Sequence, residues 1–211
     1  MMNKYIITLL FFLQVFTVFS QELYFNVGKN FTSYSNASLN NLFISKNKLF
    51  SPGNSYELGV VFNQNENKLN YSAGINYNEF NTSYAVNGAA IRFDWETHYL
   101  GVQNSLIYTL YSSRSRESDF ELKAKLGLNT ALFVYGNENA NGINYNLKEN
   151  SDYLHLIFQP FTGLQMSYSI SKNCKFNLGY DISQAKIGED AGNSFNYVNQ
   201  NVQAGLIFSL Y

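Results

Sequence analysis

Apolar and polar side chains alternate one for one along eight separate stretches of this chain, and a period of two residues belongs to a β-strand with two unlike faces. The first stretch, 23–31, sets Leu23, Phe25, Val27 and Phe31 against Tyr24, Asn26, Gly28 and Asn30. The second, 55–62, sets Tyr56, Leu58, Val60 and Phe62 against Glu57, Gly59 and Val61. In the third, 69–80, Leu69, Tyr71, Ala73, Ile75 and Tyr77 oppose Asn70, Ser72, Gly74, Asn76 and Asn78. Leu100, Val102, Leu106, Tyr108 and Leu110 share a face of 95–111, and Phe120, Leu122, Ala124, Leu126, Leu128 and Leu132 share one of 119–135. The last three are 154–170 (Leu156, Phe158, Leu164, Met166, Tyr168), 175–183 (Phe176, Leu178, Tyr180, Ile182) and 198–210 (Val202, Ala204, Leu206, Phe208, Leu210). Almost no helical periodicity competes, so an all-β fold of eight antiparallel strands is predicted.

A soluble sandwich, a lipocalin-like barrel and a membrane barrel can all use such strands. Charge separates them in part. The apolar faces carry only Lys29 and Glu79, both near the loop ends of their strands, while the opposite faces carry Glu57, Glu121, Lys123, Lys125, Lys175 and Asp181. A lipid-facing Lys or Arg at mid-bilayer costs roughly 2–4 kcal/mol and far less near the interfaces. A soluble core excludes charge too, so the connections decide. Residues 32–54, 81–94, 136–153 and 184–197 are long and 63–68, 112–118 and 171–174 are short, in strict alternation. That is the plan of an eight-stranded up-and-down transmembrane barrel, with short periplasmic turns and long outer loops. Near the short-turn side each strand offers one apolar-face aromatic: Phe25, Phe62, Tyr71, Tyr108, Phe120, Tyr168, Phe176 and Phe208. Eight aromatics at one depth predict a periplasmic girdle.

The N-terminus fits the same destination. Lys4 supplies a positive charge, 5–19 is mostly apolar, and Val18-Phe19-Ser20 fits cleavage before Gln21. A membrane-spanning helix would need roughly 20 apolar residues. Residues 1–20 are therefore read as a signal peptide and 21–211 as one outer-membrane β-barrel domain. Charged residues make up only 14% of the chain against about 25% in typical soluble domains, which leaves too few for a water-facing surface. A net charge of −1 with no block of like charge gives no sign of nucleic acid or of an anionic membrane surface as a partner; the expected partners are outer-membrane lipid, against the charge-poor apolar faces, and another envelope protein. Cys174 stands alone, so no disulfide framework exists.

Three segments carry a resemblance: the Gln21 start, Tyr99-Leu100-Gly101-Val102-Gln103 followed by Leu106-Ile107-Tyr108, and the ending Gly205-Leu206-Ile207-Phe208-Ser209-Leu210-Tyr211. In these the chain resembles the small outer-membrane β-barrel proteins of Bacteroidota, a broad group that includes PorT-like proteins. The group often has an acidic residue and a proline where Gly101 and Gln103 stand, and barrels of this kind often end on a lipid-facing aromatic, whereas here Leu210 points outward and Tyr211 inward. The resemblance implies the fold and the cell outer membrane as location, without a particular role.

Catalytic chemistry is sparse. His98 and His155 lie near outer strand ends; only His155 has lumen parity, with Ser151 and Asp152 beside it. Neighbours in sequence are not a triad, and both histidines are read as rim or girdle residues. One cysteine and two scattered histidines make no zinc set, and 136–142 lacks the acidic ligands of a calcium loop, so it is read as an exposed, flexible loop. No cofactor, metal or catalytic residue is predicted. The expected function is a structural or interaction role in the envelope, exercised through outer loops or rim. The alternatives are a porin-like small-solute conduit or ligand-binding barrel, which an interior of eight strands just filled by side chains disfavours, and a hydrolase or acyltransferase with a site at the outer rim. Inward parity also puts Glu57, Lys123, Lys125 and Asp181 into one narrow interior, where two acids and two bases are expected to pair and close the lumen.

Overall fold

The structure, a computed structural model, describes residues 20–36, 48–49, 51–63, 68–85, 92–114, 119–149, 156–187 and 195–210; the expected signal peptide, apart from Ser20, lies outside them. In chain order the elements are β1 (Ser20–Asn36), β2 (Lys48–Leu49), β3 (Gly53–Asn63), β4 (Leu69–Ala85), β5 (Arg92–Arg114), β6 (Asp119–Ala140), β7 (Ile143–Asn146), a 3-10 turn (Leu147–Glu149), β8 (Leu156–Ser171), β9 (Cys174–Ile187) and β10 (Phe195–Ser209). The eight long strands each pair antiparallel with their chain neighbours, and β1 pairs with both β3 and β10, which closes an eight-stranded up-and-down barrel. Each alternating stretch of the sequence falls on one of these strands.

The register fixes the barrel's width. Followed at right angles to the strands, it runs Glu22, Val61, Ser72, Ser105, Gly127, Phe161, Ser183 and Asn199, then re-enters β1 at Thr32. From Glu22 to Thr32 is a stagger of ten residues. With about 3.3 Å per residue and about 4.8 Å between strands, that stagger tilts eight strands by about 40° and gives a backbone cylinder of about 8 Å radius. The pleat then sorts side chains as the alternation requires. Leu126 (62% exposed), Phe158 and Ile75 (both 57%) face outward, while Asn30, Asn76, Asn129 and Asn177 are buried inside. The barrel is apolar outside and polar within, the inverse of a soluble protein.

Two irregularities shape its outer end. β6 shifts register against β5 between His98 and Tyr99, a bulge that re-aims side chains at the rim. The β8–β9 ladder begins at Phe161, directly after Pro160, whose ring nitrogen has no proton to donate. Among the described residues, β8 above that point pairs with β6 alone and β9 with β10 alone.

Two expectations are corrected. Residues 81–94, read as a long connection, are strand at both ends, since β4 runs to Ala85 and β5 begins at Arg92. Residues 136–142, read as a flexible loop, instead carry β6 on to Ala140, turn at Asn141-Gly142, and return as β7 against Asn137–Ala140. Both turn residues are left-handed, Asn141 at φ 52° and Gly142 at φ 86°, the geometry that Asn-Gly pairs supply to a two-residue hairpin. The Asn139 side chain accepts the Gly142 N–H at 2.9 Å. Here β6 still pairs with β5, Asn137 opposite Glu96 and Ala140 opposite Phe93, but from 137 to 146 neither face is buried, and the alternation that reveals the other strands is missing. Substituting Gly142→Val puts a β-branched residue where left-handed backbone costs about 1–2 kcal/mol. Amide exchange over 137–146 should then speed by about 5- to 30-fold, with the barrel's thermal midpoint unchanged; equal exchange in both proteins would overturn this account of the hairpin.

Candidate functional site

The lumen gathers most of the buried polar side chains among the described residues, and β6 displays its layers. Read upward from the short-turn side, its inward residues are Glu121, Lys123, Lys125, Gly127, Asn129, Ala131 and Phe133. The lowest layer is ionic: Lys123 Nζ lies 2.7 Å from Glu121 Oε2, and Lys175 Nζ lies 2.9 Å from Glu22 Oε1 and 3.5 Å from Glu121 Oε2. A small apolar cluster of Tyr24, Val61, Ile107 and Ile207 sits just above. In the middle layer Lys125 Nζ is 3.6 Å from Asp181 Oδ2 and 5.6 Å from the centre of the Phe161 ring. Gly163 pairs with Lys125 on one side and Asp181 on the other, and a Cβ there would overlap Asp181 Oδ1. The missing side chain is the space in which the two charges meet.

Glu57 completes that layer without a cation at hydrogen-bond distance. Its carboxylate accepts the Tyr24 hydroxyl at 2.6 Å, the Gln103 amide at 2.8 Å and the Asn26 amide at 3.4 Å. Tyr24 reaches it by lying across Gly59 and Gly74, where a Cβ would stand within 2.6 Å of its hydroxyl. Above comes a belt of amides whose hydrogen bonds run one way around the wall. Asn76 donates to Asn129 (3.0 Å), Asn129 to Gln159 (3.0 Å), Gln159 to Ser183 (2.6 Å), and Ser183 to the Asn199 carbonyl (3.5 Å). Between this belt and the two carboxylates lies a cavity of about 40 Å³. The outer mouth is closed by Phe80, Tyr99, Ala131, Leu147, Ile157, Ala185 and Tyr197, with Phe133 against them. Phe80 stacks tilted on Tyr99 at 5.5 Å and on Tyr197 at 5.0 Å, and the turn after β7 drops Leu147 into the same cluster.

All four expected network residues thus point inward and are buried: Glu57 6%, Lys123 6%, Lys125 4% and Asp181 8% exposed. The structure brings Lys125 and Asp181 together with Glu57 in the same layer and puts Lys123 lower, in a separate ionic group with Glu121, Lys175 and Glu22. Inward parity alone does not give the height of Lys123, because stagger starts each strand at its own height. Glu121, Lys123 and Lys125, spaced by two on one face, were the available signal for two stacked layers. Of the other inward polar side chains, Gln103 binds Glu57, Asn177 donates to Asn26 at 3.0 Å and Gln165 to Ser167 at 3.4 Å, whereas Tyr99 belongs to the aromatic closure.

Outside, the eight girdle aromatics face away from the lumen, six exposed and Phe62 and Phe120 half-buried. Phe62 stacks on its register partner Tyr71 at 5.8 Å, and Phe120, Tyr168 and Phe176 stand in one register row. Toward the other end a polar collar forms on the outer surface: Lys29 donates to Asn54 at 2.6 Å, and Asn54 donates to Glu79 at 2.7 Å. His98 belongs to this collar. Its Nδ1 is 2.6 Å from the Tyr77 hydroxyl, its Nε2 is 2.9 Å from Glu96 Oε1, and its ring packs against Tyr135. Burial of the ring under Tyr77 and Tyr135 was not legible from parity, since the bulge folds Tyr135 over it. His155, Ser151 and Asp152 lie outside the described residues. Cys174 is half-buried with a free thiol, and no group of three His, Cys, Asp or Glu side chains among the described residues is placed to hold a metal.

No protein-family model matches the chain, and no curated protein sequence does. Among solved structures, the outer membrane protein OprG from Pseudomonas aeruginosa is 12% identical, with a TM-score of 0.52 over 92% of this chain and 97% of that one. Neisserial surface protein A is 17% identical, with a TM-score of 0.43 over 89% and 97%. The attachment invasion locus protein Ail of Yersinia pestis is 10% identical, with a TM-score of 0.38 over 90% and 99%. The likeness to OprG places the fold in the class of small outer-membrane β-barrels.

Removing one partner of a buried ion pair costs about 3–5 kcal/mol. Lys125→Ala should therefore lower the thermal midpoint in detergent by about 10 °C, and Lys125→Met combined with Asp181→Leu should recover most of the loss. A single variant melting within about 2 °C of wild type would show that the pair is not formed.

Proposed function

We propose that this chain is a small integral protein of the bacterial outer membrane, exported by a signal peptide and related to the PorT-like barrels of Bacteroidota, that serves a structural or interaction role through its outer end. The observation that carries the reading is the filled lumen: ionic, amide and aromatic layers occupy it from the short-turn side to the mouth. A barrel of about 8 Å backbone radius has no channel left once those side chains are in place, which argues against a solute conduit. The apolar outer surface between the girdle and the polar collar supports lipid as the surroundings. Among the described residues the outer hairpin is accessible, with Ile143 and Tyr145 58% and 53% exposed, and function tends to sit on segments that a rigid scaffold holds out. Its partner is another envelope component. We assign no catalytic role: the hydroxyl beside His98 is the phenol of Tyr77, acting here as an interfacial aromatic.

Fractionation should recover the protein with outer membranes, its migration on gels should shift on heating, and planar bilayers should show no conductance steps. A photo-crosslinker at Tyr145 should capture an envelope component in intact cells, and deletion of 137–146 should abolish capture while heat-modifiability persists. Soluble periplasmic protein, or steady single-channel conductance, would defeat the proposal.

A further inference from the structure

We propose that the outer surface of β4, β5 and β6 is the contact face of a dimer of this chain in the membrane, joined at Asn104. Asn104 stands on the outward face of β5, opposite Ala73 of β4 and Leu128 of β6. It is exposed, as are Val102, Leu106, Ile75 and Leu126 around it. Its Oδ1 accepts the Tyr71 hydroxyl, but its Nδ2 donates to no residue among those described.

The register gives the depth of that amide. On β5 the girdle residue Tyr108 and the collar residue His98 are ten residues apart, which at about 3.3 Å per residue and a tilt of about 40° is about 25 Å along the barrel axis. That is the height of the apolar band of an outer-membrane barrel. Asn104 lies four residues above Tyr108, about 10 Å into the band, where lipid tails offer no acceptor. An amide donor left unmatched in hydrocarbon is costly. Thr162 and Tyr180, also outward, avoid that cost within the wall: Thr162 Oγ1 donates to the Lys125 carbonyl at 3.1 Å and the Tyr180 hydroxyl to Gln200 at 3.0 Å.

Symmetry identifies the occupant. A two-fold axis along the membrane normal keeps every residue at its own depth and makes each contact reciprocal, so Asn104 of one copy meets Asn104 of the other. A carboxamide is its own complement: each Nδ2 donates to the other Oδ1, whose second lone pair the Tyr71 hydroxyl leaves open. A protein of unrelated sequence would need an acceptor at that one depth, whereas a second copy carries it there by construction. Ala73, half-buried beside Asn104, ends in a methyl group and lets the second wall approach, and small residues are what close packing in lipid requires. From Tyr108 through Leu106, Val102 and Leu100 the outward face of β5 carries no charge, so two copies meet at equal depth without repulsion. The proposal rests on lipid surrounding this wall, as read above, and adds a contact that the outer end does not supply.

The test is sedimentation equilibrium of the whole folded protein in density-matched detergent micelles. Wild type should show a monomer–dimer equilibrium that shifts with the protein-to-detergent ratio, and Asn104→Leu should raise the dissociation constant about 5- to 30-fold. Position is tested by oxidation with copper phenanthroline in outer membranes from expressing cells, in a Cys174→Ser background. Leu106→Cys should give a cross-linked dimer, and Val202→Cys, outward on β10 four strands away, should not. A wild type that stays monomeric at every ratio overturns the proposal, as does an unchanged dissociation constant in Asn104→Leu, or equal cross-linking at the two positions. A different membrane protein seated on this face would give the first of these results. Heat-modifiable migration by a monomeric wild type would sink the dimer and leave the membrane reading standing.

Discussion

Closure of the sheet at a stagger of ten governs everything else in this molecule. Eight strands at that stagger enclose a cylinder so narrow that side chains from opposite walls meet, and the strand period sends every second residue into it. An interior of polar residues under that confinement has to satisfy itself, because there is no room for bulk water to do so. The inward glycines follow from the same geometry. Gly163 admits the Lys125–Asp181 contact and Gly59 and Gly74 admit the Tyr24 ring, so the small residues are as much part of the polar packing as the charges are.

The layers divide the labour by chemistry. Ion pairs near the short turns are balanced among themselves. The amide belt carries hydrogen bonds around the wall in one sense, which lets each Asn or Gln act as donor and acceptor at once. Aromatic rings take over at the mouth, where Phe80, Tyr99 and Tyr197 fill the widening end of the cylinder without needing a continuous polar network.

How much of this the amino-acid order reveals depends on which interactions are local. Strand alternation needs only neighbouring residues, so the eight strands and their inward faces could be read directly, whereas strands that run on past the alternation, β4 to Ala85 and β5 from Arg92, were hidden in what read as a long connection. The height at which two inward residues meet depends on stagger, a property of the closed ring, and that is why Lys123 was grouped with Asp181 when its ion pair is with Glu121. The hairpin beyond Gly136 hides for a different reason: no face of it is buried, so only the Asn141-Gly142 pair marks it. Burial of His98 depends on a bulge in the neighbouring strand, and a bulge leaves no trace in a two-residue pattern.

Pro160 gives the cylinder a rim that is not level. Below it each strand is zipped to both neighbours; above it, β8 and β9 part, and the wall becomes a curled sheet with a free margin on that side. A hydrocarbon solvent tolerates only a backbone whose amides and carbonyls are matched. The notch between these strands therefore acts as a plimsoll line, marking how deep the molecule can ride before lipid tails would touch unmatched backbone. Gln184 on β9 and Gln200 on β10, both exposed on the outer surface near the notch, sit where such a line would place the first headgroups.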